Sequence, residues 1–312
     1  MNKRLTYLLK ISKALTYSFL YHRKHKQLAL HGMKRPITFF RDSYGVPHIK
    51  TESEDDLFLL FGYTQAQDRL FQMDITRRAA KGRLSEIFGE HTLDMDLFVR
   101  TMDIERAAQE TLSALPSEVK NVMNRFVEGI NIYISAIKSH LPFEYVPLDI
   151  KLEPWDASDC ILLYKFMDVQ LLGIGGPFFG KLEFYLFVKK FGLKAVDELK
   201  IMERPLNPSS MQNNCSSNCK LPVKFYVPSL DTKAVMTIIS WLDSAKGFLG
   251  RKGVWEGSNA WAVDGTLSAT GGPLLSSDPH LPLTVPPILY EAHLEVQGRF
   301  NTRGLLFPVP RF

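Results

Sequence analysis

The stretch Trp255-Glu256-Gly257-Ser258-Asn259-Ala260-Trp261-Ala262-Val263 decides how the rest of the chain is read. Two readings compete for it. Gly-Ser-Asn before an alternating apolar run is a common turn leading into a strand. Alternatively, the Gly257–Ser258 bond is a cleavage site and Ser258 becomes a new chain start. A serine hydroxyl is a weak nucleophile that needs a base. A free α-amine, with a pKa of about 7.7–8.0, is partly neutral near pH 7 and can serve as that base. Gly257 suits a cut because a residue without Cβ tolerates strain at low cost. Taken alone, the stretch favours the turn, so the flanking sequence has to arbitrate.

Upstream, the chain is patterned mainly for helices. Residues 54–88 read as helix, with Glu54, Asp55 and Asp56 at the start, where the helix dipole favours acids. Leu57, Leu60, Phe61, Leu70, Met73 and Leu84 mark its buried face, while Gly82 and Gly89 mark a bend and a stop. Asp68 and Arg69 are either exposed charges or buried braces. A second helix is expected over 117–140, with Ser117 as N-cap and Val119, Met123, Phe126, Ile130, Tyr133 and Ile137 along one face. Further helices are expected near 157–169, 179–191, 193–202 and 234–246. Before them, residues 36–50 read as strand, turn, strand, with a structural role for His48. Gly173-Ile174-Gly175-Gly176-Pro177 lacks the strand-turn-helix context of a dinucleotide loop. Pro205, Pro208, Pro222 and Pro228, with their Asn and Ser clusters, mark a linker. From Ser258 onward the pattern turns to strands, at 260–263, 271–275 and 289–296. The candidate serine therefore sits where a helical part meets a strand-rich part.

Composition narrows the function classes. The 312 residues are 45% hydrophobic and 23% charged, an ordinary globular balance. The net charge of +5 comes from the first 35 residues, which hold nine Lys and Arg and no acid. A basic leader explains this more simply than a nucleic-acid surface does. Leu5 to Tyr21 is apolar but interrupted by Lys10 and Lys13, so it fits a weak signal peptide or a surface-lying amphipathic helix. No run of about 18 apolar residues predicts a membrane span. Cys160 reads as a core thiol. Cys215 and Cys219 lie in a polar loop and suit a local disulfide, whereas the loop has no His to complete a zinc site.

Four stretches, in order, resemble the penicillin acylase family of N-terminal-nucleophile hydrolases. They are Arg41-Asp42-Ser43-Tyr44-Gly45-Val46-Pro47-His48-Ile49; Gly62 through Asp74, continuing from Arg77-Arg78 to Gly89; Gly257 through Val263; and Ser277-Asp278-Pro279-His280-Leu281 with Tyr290-Glu291-Ala292-His293-Leu294. The resemblance reverses the balance at Ser258. It implies an αββα sandwich and a precursor cut between Gly257 and Ser258 into an α-chain and a β-chain. It also implies hydrolysis of an acyl-amide bond by Ser258, with His280 orienting or activating the hydroxyl. The organisation it suggests is a leader over 1–35, a helical α-region over 36–204, a spacer over 205–257 and the start of the β-chain over 258–312. It further implies a periplasmic or secreted location and a calcium ion between the chains, with Glu183 as an α-side ligand. Only 54 residues follow Ser258. Family β-chains are longer, so the oxyanion-hole Asn and a supporting Arg are expected beyond Phe312. The rival expectation is a non-catalytic remnant or binding module on the same fold.

Overall fold

The computed structural model describes residues 12, 32–35, 37–138, 141–169, 177–198, 230–248, 257–281 and 284–306. The expected leader helix, the Cys215/Cys219 loop, the Gly173–Gly176 break and residues 199–229 lie outside these.

Two strands open the fold, β1 (Ile37–Arg41) and β2 (Pro47–Thr51), paired antiparallel. Asp42 builds their turn: its carboxylate accepts the backbone N–H of Tyr44 at 2.9 Å and of Val46 at 3.0 Å. Gly45, at φ +80°, supplies the left-handed residue the turn requires.

Helix α1 (Glu54–Ala80) follows, with the Ser53 side chain accepting from the Asp56 N–H and three acids in the first turn. It is buried along most of its length because strands cover one side and helices the other. The bend expected at Gly82 falls there, at φ +60°, so the predicted 54–88 helix is α1 plus a short α2 (Ser85–Phe88). Buried Asp96 fastens this corner by accepting the N–H groups of Leu84 and Ser85 and the Ser85 hydroxyl.

Two helices not expected from the sequence come next, α3 (Leu93–Met102) and α4 (Ile104–Ala114). Helix α5 (Ser117–Ala136) ends earlier than expected, and Pro116 rather than Ser117 is its N-cap, with no side-chain cap bond. Its predicted face is buried at Met123, Phe126, Ile130 and Tyr133. Helices α1 and α5 touch backbone to backbone. A Cβ on Gly62 would lie 1.9 Å from the Phe126 carbonyl oxygen, and one on Gly129 would lie 1.9 Å from that of Leu59. After α6 (Tyr145–Leu148), helix α7 (Ala157–Val169) is set by Trp155, whose backbone N–H and C=O both bond to the Asn131 side chain at 2.8 Å. Helix α8 (Pro177–Glu198) kinks at Gly192, where the sequence places a helix boundary. Helix α9 (Thr232–Phe248) lies inside the stretch read as spacer and buries Val235.

The remaining strands are β3 (Gly257–Val263), β4 (Leu274–His280), β5 (Tyr290–Val296) and β6 (Phe300–Leu306), the last unexpected. One sheet has the order β1-β2-β5-β6, with β2 and β5 parallel and the other pairs antiparallel. Its inner face carries Ile49, Tyr290, Ala292, Leu294 and Val296 against the helices. The β3–β4 hairpin stands apart as a two-stranded sheet with nearly all its side chains exposed. The described residues thus show one helical layer on one four-stranded sheet, plus this hairpin.

A polar cluster lies within the helical layer. Asp74 meets Arg77 at 2.8 Å and Arg78 at 3.4 Å, and Asp159 meets Arg77 at 3.1 Å and Lys81 at 2.7 Å. Arg77 also lies over the Trp155 ring, 4.6 Å from its centre. Charges buried this deeply persist because each has an opposite partner and further hydrogen bonds.

Candidate active site

Ser258 is the second residue of β3 and is exposed. The register pairs Gly257 with His280, Ser258 with Pro279 and Asn259 with Asp278. Alternation along a strand puts Ser258 on one face of the hairpin and Asn259, Asp278 and His280 on the other. The contacts agree: His280 Nε2 lies 2.6 Å from Asp278 Oδ2 and 3.3 Å from Asn259 Nδ2. In this uncut chain Gly257 and Ser258 open β3, with Ser258 exposed. The structure does not bring the imidazole to the serine hydroxyl.

A cleft of about 950 Å³ opens beside the hairpin, lined by Pro279, the serine's pairing partner, and by Leu281. Phe39, Val46, Ile288 and Leu289 make its walls largely apolar. Its polar end is built from three distant segments. Arg41 of β1 donates two hydrogen bonds to Asp68 of α1, at 2.8 and 2.9 Å. The Tyr290 hydroxyl of β5 donates to the same carboxylate at 2.6 Å. Burial pushes the Tyr290 phenol well above its usual range and the Asp68 charge adds to this, so Tyr290 stays a neutral donor. For Arg41, desolvation disfavours the cation but the neighbouring Asp68 outweighs it, and the guanidinium is held above its ordinary value. Arg69 lies over the Tyr290 ring at 5.8 Å. Asp68 and Arg69, left open in the sequence, are thus parts of the cleft. Tyr290 is the member that local pattern does not single out, because its role rests on a partner 222 positions away.

Glu183 is exposed on α8. Among the described residues no group of three His, Cys, Asp or Glu gathers around it or elsewhere to hold a metal ion.

The architecture matches that of a solved acylase. Thermostable penicillin G acylase from Alcaligenes faecalis aligns with a TM-score of 0.50 and 26% identity, covering 58% of this chain and 98% of that chain. The Penicillin amidase family model matches residues 36–310, and the chain belongs to that family. Penicillin acylase 2 proenzyme of Pseudomonas sp. (strain SE83) is 31% identical over 288 residues, covering 91% of this chain and 35% of the relative. Acyl-homoserine lactone acylase QuiP of Pseudomonas aeruginosa is 25% identical over 258 residues, covering 82% of this chain and 29% of the relative. The chain thus spans about a third of the length of these curated relatives.

Proposed function

We propose that the chain is the N-terminal part of a penicillin-acylase-like amidohydrolase that cuts itself between Gly257 and Ser258 and then uses Ser258 as an N-terminal nucleophile. The observation that carries this reading is an exposed Ser258 at the start of β3, whose pairing partner Pro279 lines the cleft. In the processing step, the Ser258 hydroxyl oxygen attacks the Gly257 carbonyl carbon. The C–N bond breaks as the nitrogen takes a proton, leaving an ester. Water then hydrolyses the ester, giving a Gly257 carboxylate and a free Ser258 amine.

In turnover, that amine takes the hydroxyl proton while the oxygen attacks the substrate's acyl carbon. The departing amine is protonated, and water releases the acyl group from Ser258. His280, held by Asp278, is assigned an orienting role once the cut frees the strand end. A complete αββα sandwich, an α/β heterodimer, a periplasmic or secreted location and a calcium ion belong to this same reading of the longer protein. Among the described residues no helix is long and apolar enough to cross a membrane. The turn of His280 away from Ser258 favours the second reading, an uncut module on the same fold.

Expression followed by intact mass and N-terminal sequencing separates the two. The expected result is a fragment starting at Ser258 that vanishes in Ser258→Ala. A chain that stays whole under all conditions sinks the processing proposal for this chain.

A further inference from the structure

The outer face of the four-stranded sheet carries two histidines that no step above uses. His48 of β2 and His293 of β5 are register partners across the parallel pair. Their Nδ1 atoms lie 2.9 Å apart, and the rings meet edge to face with centres 5.0 Å apart. Phe40 stacks on His48 at 4.5 Å. Each ring has a second contact through its other nitrogen: His48 Nε2 with Asp42 Oδ2 at 3.3 Å, and His293 Nε2 with Asn301 Oδ1 at 2.8 Å. The Asn301 amide nitrogen donates to Glu295 at 3.1 Å.

The polarity of this chain is fixed from its ends. A carboxylate only accepts, so Asp42 requires an N–H at His48 Nε2. Glu295 likewise holds the Asn301 nitrogen, which turns the amide oxygen toward His293 and requires an N–H at His293 Nε2. Between the two Nδ1 atoms there is room for one hydrogen: one donor and one acceptor. Two rings with three N–H groups carry one positive charge between them. With His48 Nε2 and His293 Nε2 both protonated, removing the shared hydrogen sets two lone pairs against each other. Adding a second sets two N–H groups and two positive charges face to face.

We infer that His48 and His293 share a single proton between their Nδ1 atoms and so bridge β2 to β5, joining the segments on either side of Gly257–Ser258. The surrounding charges suit one cation. Asp42, Glu291 and Glu295 supply negative charge, while Lys50 pairs with Glu295 at 2.7 Å and Arg303 with Glu291 at 3.0 Å and Asp42 at 3.6 Å. One positive charge on the histidine pair balances the face. The bridge does not depend on whether the chain is cut.

The test uses the full chain with ¹⁵N-labelled imidazoles, the two residues being assigned through His48→Asn and His293→Asn. The spectra of the folded chain should show three protonated nitrogens on the pair, with one of the two Nδ1 atoms bare. Two or four protonated nitrogens overturn the proposal. Hydrogen exchange of β5 amides should be about ten-fold faster in His48→Asn and in His293→Asn than in the parent chain, with amides of helix α5 unchanged. Unchanged β5 protection in both variants also overturns it.

Discussion

At the scale of single residues, the molecule concentrates its electrostatic commitments in a few carboxylates. Asp74 is one, buried between Arg77 and Arg78. Asp74→Asn leaves the two guanidinium groups short of a counter-charge and should cost about 3–5 kcal/mol of stability, read as a lowered urea midpoint. A midpoint within error of the parent would show that the cluster does not brace the helices. Glu153 is another. The hydrogen bond from Arg83, chiefly, holds its carboxyl at about 2 against an ordinary 4.5. A carboxyl depressed in the folded state gives stability that is present above its unfolded value and lost as pH falls through the folded one. Stability should therefore decline between pH 4.5 and about 2, and Glu153→Gln should flatten that part of a pH–stability profile. An unchanged slope in the variant would assign the acid loss to other groups. Asp68 shows what sequence leaves undecided at this scale. Its neighbours Gln67 and Arg69 suit a solvated face equally well, and only Arg41 and Tyr290, brought in by the fold, make it part of a cleft.

At the scale of elements, the crossing of α1 and α5 depends on Gly62 and Gly129. Alanine at either position drives a methyl into a neighbouring backbone carbonyl, which cannot swing aside as a side-chain tip would. Each substitution should cost at least about 1–3 kcal/mol, the usual range for overpacking, measured by thermal or urea unfolding. A neutral Gly129→Ala would mean the helices can separate freely at that point. The buried faces of α1 and α5 were legible because a 3.6-residue period is local information: Leu57, Leu60 and Phe61, or Met123, Phe126 and Ile130, announce themselves within two turns. Helix α4 was less legible, since Ile104, Ala108 and Leu112 mark only a narrow stripe. Strand β6, Phe300–Leu306, mixes Asn, Thr, Arg and Gly and shows no alternation of its own; it is a strand because β5 offers it a ladder. In the candidate site, the Gly-Ser junction and the Ser277–Leu281 stretch holding His280 were legible as motifs. The face on which each side chain lands was not, because that follows from the register of β3 on β4.

At the scale of the whole molecule, the segments before and after residue 258 are stitched together at several points. The parallel β2–β5 pair is joined by Lys50–Glu295, by the hydrogen bond from Tyr290 to Asp68 and by the ion pair of Arg299 with Glu54. If the chain is cut at Gly257–Ser258, the two pieces should therefore co-elute in size-exclusion chromatography at neutral pH; separation without denaturant would show that these contacts do not suffice. The same pairing carries a kinetic consequence. His48 and His293 are 245 positions apart, whereas the helical layer is built largely from contacts within residues 54–169. Non-local pairing of this kind closes late, because the loop entropy must be met before the contact repays it. At a synthesis rate of ~5–20 residues per second, the β1–β2 hairpin waits roughly 12–50 s for β5 to emerge, its inner edge open meanwhile. The order of assembly is thus written into the sheet: helices first, hairpin waiting, and the strand beyond Ser258 arriving last to close the edge.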